Sequence, residues 1–263
     1  MTSQSNNEAS VTLLALDSST ASMSVAIVRD GEVVDSLATF TERNHSVRIV
    51  SEIKLMLSRN GIRGEQLDAI AIGQGPGSYT GVRIGVTAAK TLAWAWRKPL
   101  IGVSSLEALA YSAWRKIVTD GGASGSSWLV PLMDARRGQV YTSRYEASAN
   151  GGWQRLNQDG IRLIADWTNR LREAVSDGDL SHEALSAVWL VGDVTTHGAV
   201  IEEARASFDR LRTLACELDA GALGLLAERK FRSGARDDVH AFVPNYTQLT
   251  EAEAKLLSAS RGV

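Results

Sequence analysis

Polar and apolar positions follow two different periods along this chain, and each change of period marks an element. An apolar run begins at Val11 and stops at Asp17, after which the chain turns through Ser18, Ser19 and Thr20. Two further β-rich runs occupy "SVAIVRDGEVVDSLATF" (24–40) and join at Asp30-Gly31, a dipeptide that favours a type I′ hairpin turn. Residues 11–39 therefore predict three consecutive strands in an antiparallel meander. After "TERN" (41–44) the period lengthens, and Val47, Val50, Ile53 and Leu57 recur at helical spacing as far as Asn60-Gly61, a helix-stop signal. "LDAIAIG" (67–73) predicts a short apolar strand, and the glycine-rich stretch after it leads into a helix running to about Arg97. "PLIGV" (99–103) predicts another strand, and "SSLEALAYSAWRKI" another helix capped by Ser104 or Ser105.

"DGGASGSS" (120–127) has turn and linker composition and is the clearest internal boundary. Beyond it, "WLVPLMDARRGQVYTSRYEA" predicts two strands around Asp134–Gly138. "AVWLVGD" (187–193) predicts a strand ending in a turn, and "GALGLLAERKFRSG" (221–234) a helix. Residues 150–185 are rich in Gly, Asn, Asp and Trp, and no element is assigned to them. Three strands followed by alternating helices and strands is the order of a ribonuclease H-like α/β domain, and the second half starts the same order again. The expected organisation is a disordered tail (1–10), an N-terminal lobe (11–119), a smaller C-terminal lobe (128–240) and a C-terminal segment (241–263) returning to the N-terminal lobe, with a cleft between the lobes.

Charge and cysteine content narrow the class. A net charge of −2 and a pI near 6.1 weigh against a protein that holds nucleic acid by itself, since that affinity comes from clustered Lys and Arg. No aromatic-basic cluster shows in the linear sequence. Cys216 is a single cysteine and forms no intramolecular disulfide, which suits a reducing cytoplasm. The opening "MTSQSNNEAS" has neither the basic start nor the apolar run of a secretion signal, and no run approaches the ~18–20 apolar residues of a membrane span. A cytoplasmic protein with no membrane contact is expected.

"AIGQGPGSYTGVRIG" (71–85) invites a phosphate-loop reading. A Walker loop needs G-x-x-x-x-G-K-[ST], but from Gly75 the sixth residue is Thr80, and from Gly77 it is Val82. A dinucleotide fingerprint fails because Ser78 stands at its third glycine. What remains is strand, tight turn and helix N-terminus, either packed closely against the rest of the molecule or touching a ligand. Ser78 or Thr80 can cap the helix. Gly77, Gly81 and Gly85 leave a smooth helix face, while Val82, Val86, Ala89, Ala93 and Trp96 form an apolar stripe, so the helix has neighbours on two sides or is wholly buried.

"LALDSSTASMSVAIV", "GQGPGSYTGVRIGVTAAKTLAW" and "PLIGVSSLEALA" together resemble the TsaB (YeaZ) family. The likeness is strong over residues 11–112, weaker through "MDARRGQVY", and resumes at "VPNYTQLTEAEAK". It implies an α/β fold of two ribonuclease H-like lobes in the actin-like and sugar-kinase-like ATPase superfamily, with mixed sheets flanked by helices. It also implies a non-catalytic subunit that binds and activates the paralogue TsaD, which transfers a threonylcarbamoyl group to the adenosine beside the tRNA anticodon. TsaD-like proteins carry a metal-binding His-x-x-x-His pair on the helix after the segment matching "AKTLA…P", and four-residue spacing puts both imidazoles on one face. Here Ser105 and Leu109 occupy those positions, so no metal and no catalytic residue is expected.

In actin-like ATPases the first strand ends in an Asp that faces phosphate and metal, which makes Asp17, Ser18 and Ser19 candidate nucleotide contacts; the bland alternative is that they satisfy backbone groups in a turn. "LVGDVTTHG" (190–198) is a weaker candidate for the opposing wall. No cofactor of its own is expected, with ATP or ADP at the interface of the complex. The helix at 45–59 carries more apolar residues than one stripe requires, so Ile49, Ile53 and Met56, with Gly81 and Gly85, are the expected partner surface. The implied partners are TsaD directly, TsaE, tRNA through the complex, and a second copy when alone. The alternative is an independent ATP-dependent enzyme, such as a small kinase or acyltransferase.

Overall fold

The structure, a computed structural model, describes residues 9–40, 45–176 and 185–247; the expected tail as far as residue 8 and the C-terminal segment from residue 248 lie outside the described residues. β1 (Thr12–Asp17), β2 (Ser22–Arg29) and β3 (Glu32–Phe40) form the expected antiparallel meander. Asp30 and Gly31 turn it with φ of 50° and 80°, the positive pair that a type I′ turn requires. α1 (His45–Arg59) leads to β4 (Ala69–Gly73), and α2 (Tyr79–Trp96) to β5 (Leu100–Val103). β4 and β5 add in parallel beside β1, giving the order β3-β2-β1-β4-β5. α3 (Ser105–Thr119) then leaves the sheet with Ser104 as its cap.

The second sheet repeats this plan. β6 (Ser126–Asp134) and β7 (Gln139–Thr142) form a hairpin, and β8 (Tyr145–Ser148) and β9 (Trp153–Arg155) form a second one. β10 (Gly160–Leu163) pairs with β7, α4 (Ile164–Ser176) follows, and β11 (Leu185–Gly192) lies parallel to β6. α5 (Gly198–Arg205), β12 (Leu211–Leu214) and α6 (Ala220–Arg232) complete the elements. The main order is β10-β7-β6-β11-β12, the first sheet's order again, with β8 and β9 attached to the start of β6. β6 pairs with β8 over Ser126–Leu129 and with β7 over Leu132–Asp134. These are the two ribonuclease H-like lobes.

Alternation along the strands sorts side chains by size. On β1 and β4, Leu14, Leu16, Ile70 and Ile72 face α1 and α2, and burying each contributes about 1.5–3 kcal/mol. Ala15, Ala69 and Ala71 point the other way, and this shallow face lets α3 and α6 lie close. α3 also packs through Ala113, Trp114 and Ile117 on Leu129, Tyr145 and Val191 of the second sheet, so the lobes share it. α4 and α5 cover the far side of that sheet around Trp128, Leu132 and Leu190. The layers therefore run helix, sheet, helix, sheet, helix.

The placement of α6 differs from the sequence expectation. It was assigned to the C-terminal lobe but packs on the first sheet: Ala220 N–H donates to Ser24 Oγ at 2.8 Å, and Gly31 N–H donates to Glu228 Oε2 at 2.8 Å. The reason is steric. A Cβ on Gly224 would lie 2.5 Å from Val28 Cγ2 and 3.1 Å from the Ala15 Cβ, so only a small-residue helix fits that face. The following segment stays on the first lobe, where Lys90 Nζ donates to the carbonyls of His240 and Phe242 at 3.1 and 2.8 Å and Phe242 is buried.

Candidate functional site

Asp17 ends β1 but does not face the cleft. Its Oδ1 accepts the Ser19 N–H and the Ser19 Oγ–H, both at 2.7 Å, and its Oδ2 accepts the Ser105 Oγ–H at 2.6 Å. Ser105 Oγ in turn accepts the Gly75 N–H at 3.1 Å. The carboxyl is 1% exposed, and burial pushes its pKa above the ordinary aspartate range against the opposing pull of the Ser105 and Ser19 hydrogen bonds. Ser18 Oγ donates to the Gly81 carbonyl at 2.8 Å. The turn thus satisfies itself and its neighbours, and of the three expected nucleotide contacts only Ser19 touches the cleft wall.

The glycines exist for this turn. A Cβ on Gly81 would collide with the Ser18 carbonyl oxygen, one on Gly85 with Ser18 Oγ, and one on Gly77 with the Ser19 carbonyl oxygen. The Ser19 carbonyl also accepts the Ser78 N–H at 2.7 Å, and Ser78 Oγ caps α2 by accepting the Gly81 N–H at 3.3 Å. The smooth face of α2 is therefore pressed against residues 17–19. This corrects the assignment of Gly81 and Gly85 to a partner surface.

Ile49, Ile53 and Met56 are corrected in the same way. All three are buried at 1% or less and pack on the first sheet with Leu57, whereas Val50 is 53% exposed. The buried stripe of α1 is rotated from the one expected; Val47 lies outside the residues whose side chains are described. Between α1 and α2 runs a groove of about 610 Å³, walled by Val50, Ile84, Thr87, Ala88 and Thr91, with Ile49 in its floor. It is almost entirely apolar and open to solvent.

The positions where the paralogue would hold a metal are filled. Ser105 is fully buried and engaged by Asp17 and Gly75, and Leu109 is 2% exposed among Met133, Ala135 and Tyr141. Gly192 accommodates it, since a Cβ there would lie 2.8 Å from Leu109 Cδ2.

The cleft between the lobes encloses about 900 Å³. Its second-lobe wall carries Asp134, at the end of β6, and Asp193, just after β11. Asp193 Oδ2 accepts the Asp134 N–H at 2.9 Å, and His197 Nε2 lies 3.4 Å from Asp134 Oδ1. Glu217 also lines the cleft, its pKa raised by partial burial and by Asp193. Burial pushes the adjacent Cys216 thiol up to about 11, too high for a reactive thiolate. Phosphates here would meet three carboxylates as well as Arg136 and Arg137, while Asp17 is turned away. The cleft therefore lacks the first-strand carboxylate that an actin-like ATPase turns to phosphate and metal.

Sequence reasoning missed two clusters. Residues 150–159 supply Arg155, which pairs with Glu107 at 3.0 Å, and Trp153, whose Nε1–H donates to Glu107 at 3.2 Å. Asp159 nearby accepts from Asn245 at 3.2 Å, so this network ties the second lobe to α3 and the C-terminal segment. At the cleft mouth, Tyr79 packs against Tyr246 with ring centroids 5.2 Å apart and planes tilted by 33°, and Arg83 lies 5.1 Å over Tyr79. Neither cluster had a linear signature, because its members come from elements far apart in the chain.

Comparison with known proteins places the chain among relatives. The family described as TsaD, tRNA N6-adenosine threonylcarbamoyltransferase, matches over residues 31–256. The Bacillus subtilis tRNA threonylcarbamoyladenosine biosynthesis protein TsaB is 34% identical over 252 residues, covering 95% of this chain and 100% of that protein. The Escherichia coli protein of the same name is 38% identical over 141 residues, 54% of this chain and 58% of that one. Among solved structures, YeaZ from Pseudomonas aeruginosa superposes with a TM-score of 0.66 at 26% identity, covering 90% of this chain and 99% of that chain.

Proposed function

This chain belongs to the TsaB family, and on that basis we propose that it acts in tRNA threonylcarbamoyladenosine biosynthesis as a non-catalytic subunit that binds and activates TsaD. The observation that carries the reading is Ser105 Oγ donating to Asp17 at 2.6 Å, with Leu109 buried one turn on. A hydroxyl committed to a buried carboxylate and an isobutyl group in the core supply no pair of ligands, so the helix that would bear the reactive centre in the paralogue serves here as packing.

Association with TsaD would use the α1–α2 groove. Helix grooves lined by aliphatic side chains take a partner's helix by the same ridge-and-groove fit that holds helices within a fold. The groove is unpartnered in the single chain and lies on the outermost layer. Without TsaD, the same surface would close on a second copy under two-fold symmetry. TsaE and tRNA would join through the assembled complex.

The test is co-purification with TsaD. Val50→Asp combined with Ile84→Asp should abolish capture while the thermal transition stays near that of the wild type. Undiminished capture by a folded double variant would refute the groove. Reconstituted threonylcarbamoylation of tRNA, with and without this chain, tests the activating role itself.

A further inference from the structure

We propose that the mouth of the interlobe cleft is a contact surface for unpaired RNA, made by Tyr79, Tyr246, Arg83, Arg136 and Arg137. The inference rests on the tRNA-modifying role proposed above and adds a direct contact by this chain. Tyr79 and Tyr246 pack against each other with their planes tilted by 33°, yet remain 50% and 46% exposed. Arg83 lies over Tyr79 and donates to its hydroxyl at 2.9 Å. Across the mouth, Arg136 and Arg137 occupy the β6–β7 turn in the left-handed region, with φ of 66° and 54°. Both line the same cleft as Tyr79, both are exposed, and neither makes an ion pair among the described residues. Arg83 also pairs with no carboxylate among them.

The chemistry favours a strand of RNA over other occupants. Exposed aromatic faces accept any unstacked base, and guanidinium groups at the rim neutralise the phosphates between bases. Asp134, Asp193 and Glu217 are exposed on the same cleft and repel phosphate, so a polyanion is held on the side of Arg136 and Arg137 and away from those carboxylates. A folded duplex presents no free base faces to the tyrosines, which makes an unpaired loop the matching substrate. An acidic segment of a protein partner would satisfy the arginines but leave the exposed rings without a role.

Fluorescence anisotropy with a short, end-labelled unpaired oligoribonucleotide tests this on the full chain. With three arginines engaged, log K should fall with log salt at a slope of about −2, and Arg136→Asn with Arg137→Asn should reduce that slope by about 1.4. Asparagine tolerates the left-handed backbone, so this pair removes charge without adding strain. Tyr79→Ala should weaken binding about 5- to 150-fold, and Tyr79→Phe should keep it. None of these changes should move the thermal transition, and the arginine pair should leave TsaD capture intact. Absence of binding by the wild type, or affinity indifferent to these variants, overturns the proposal. So does loss of TsaD capture by the arginine pair with RNA affinity unchanged, which would make the rim a protein contact. Tyr79 and Arg83 also line the α1–α2 groove, so the groove variants Val50→Asp and Ile84→Asp, which change neither, report on the TsaD reading and the Arg136 and Arg137 pair on the RNA reading.

Discussion

Asp17 and Asp134 close the first strand of their respective lobes, at equivalent places in a repeated sheet order, yet they meet opposite fates. Asp17 is sealed beneath the glycine face of an 18-residue helix and bonded on both oxygens. Asp134 stands 37% exposed at a cleft, beside a hairpin turn and an α5 of 8 residues. The fold fixes where a carboxylate falls, and the neighbouring elements decide whether it is a buried fastening or an accessible group. In the first lobe the deciding feature is how closely α2 approaches.

Three changes would break or sharpen that contrast. The largest effect is expected from Gly81→Val, which drives a branched side chain into the Ser18 carbonyl and should lower stability by about 3 kcal/mol or more in urea unfolding. Next is the pair Asp17→Ala and Asp134→Ala. The first strands the buried donors of Ser19 and Ser105 and should lose about 2–3 kcal/mol, while the second should stay within about 0.5 kcal/mol. Equal losses would show the two sites to be energetically alike. The smallest effect is a pH dependence. Because the folded-state pKa of Asp17 is raised, its protonated form is favoured by folding. Its contribution is therefore full below about pH 4 and declines as pH rises through the folded-state value. The stability of the wild type relative to Asp17→Asn should fall across that range, and a difference that grows with pH would contradict the burial argument.

Much of the first lobe was legible because its strands are continuous apolar runs and its helices hold one period. The second lobe was less so. Trp153–Arg155 and Gly160–Leu163 are three- and four-residue edge strands, mostly part-exposed, and so short that no period can establish itself. On α1, two stripes share Ile53, one through Val50 and one through Ile49 and Met56, and only contact with the sheet decides between them. The glycine face of α2 was recognised as smooth, but smoothness alone does not say whether a partner chain or a serine turn lies against it. The cleft-mouth cluster joins residues 79, 83, 136, 137 and 246, a meeting that topology creates and spacing cannot reveal.

The seating of α6 on the first sheet sets the order in which this molecule can be completed. During synthesis the ribosome releases the first sheet early, yet the helix that covers its alanine side emerges only after the entire second lobe has been made. A nascent chain ending before residue 220 thus carries a greasy face that only α3 partly covers. Domain-by-domain folding, the usual course for growing chains, leaves this face incomplete until α6 arrives. Full cover of the first sheet waits for Ala220–Arg232, at the start of about the last sixth of the protein, to arrive.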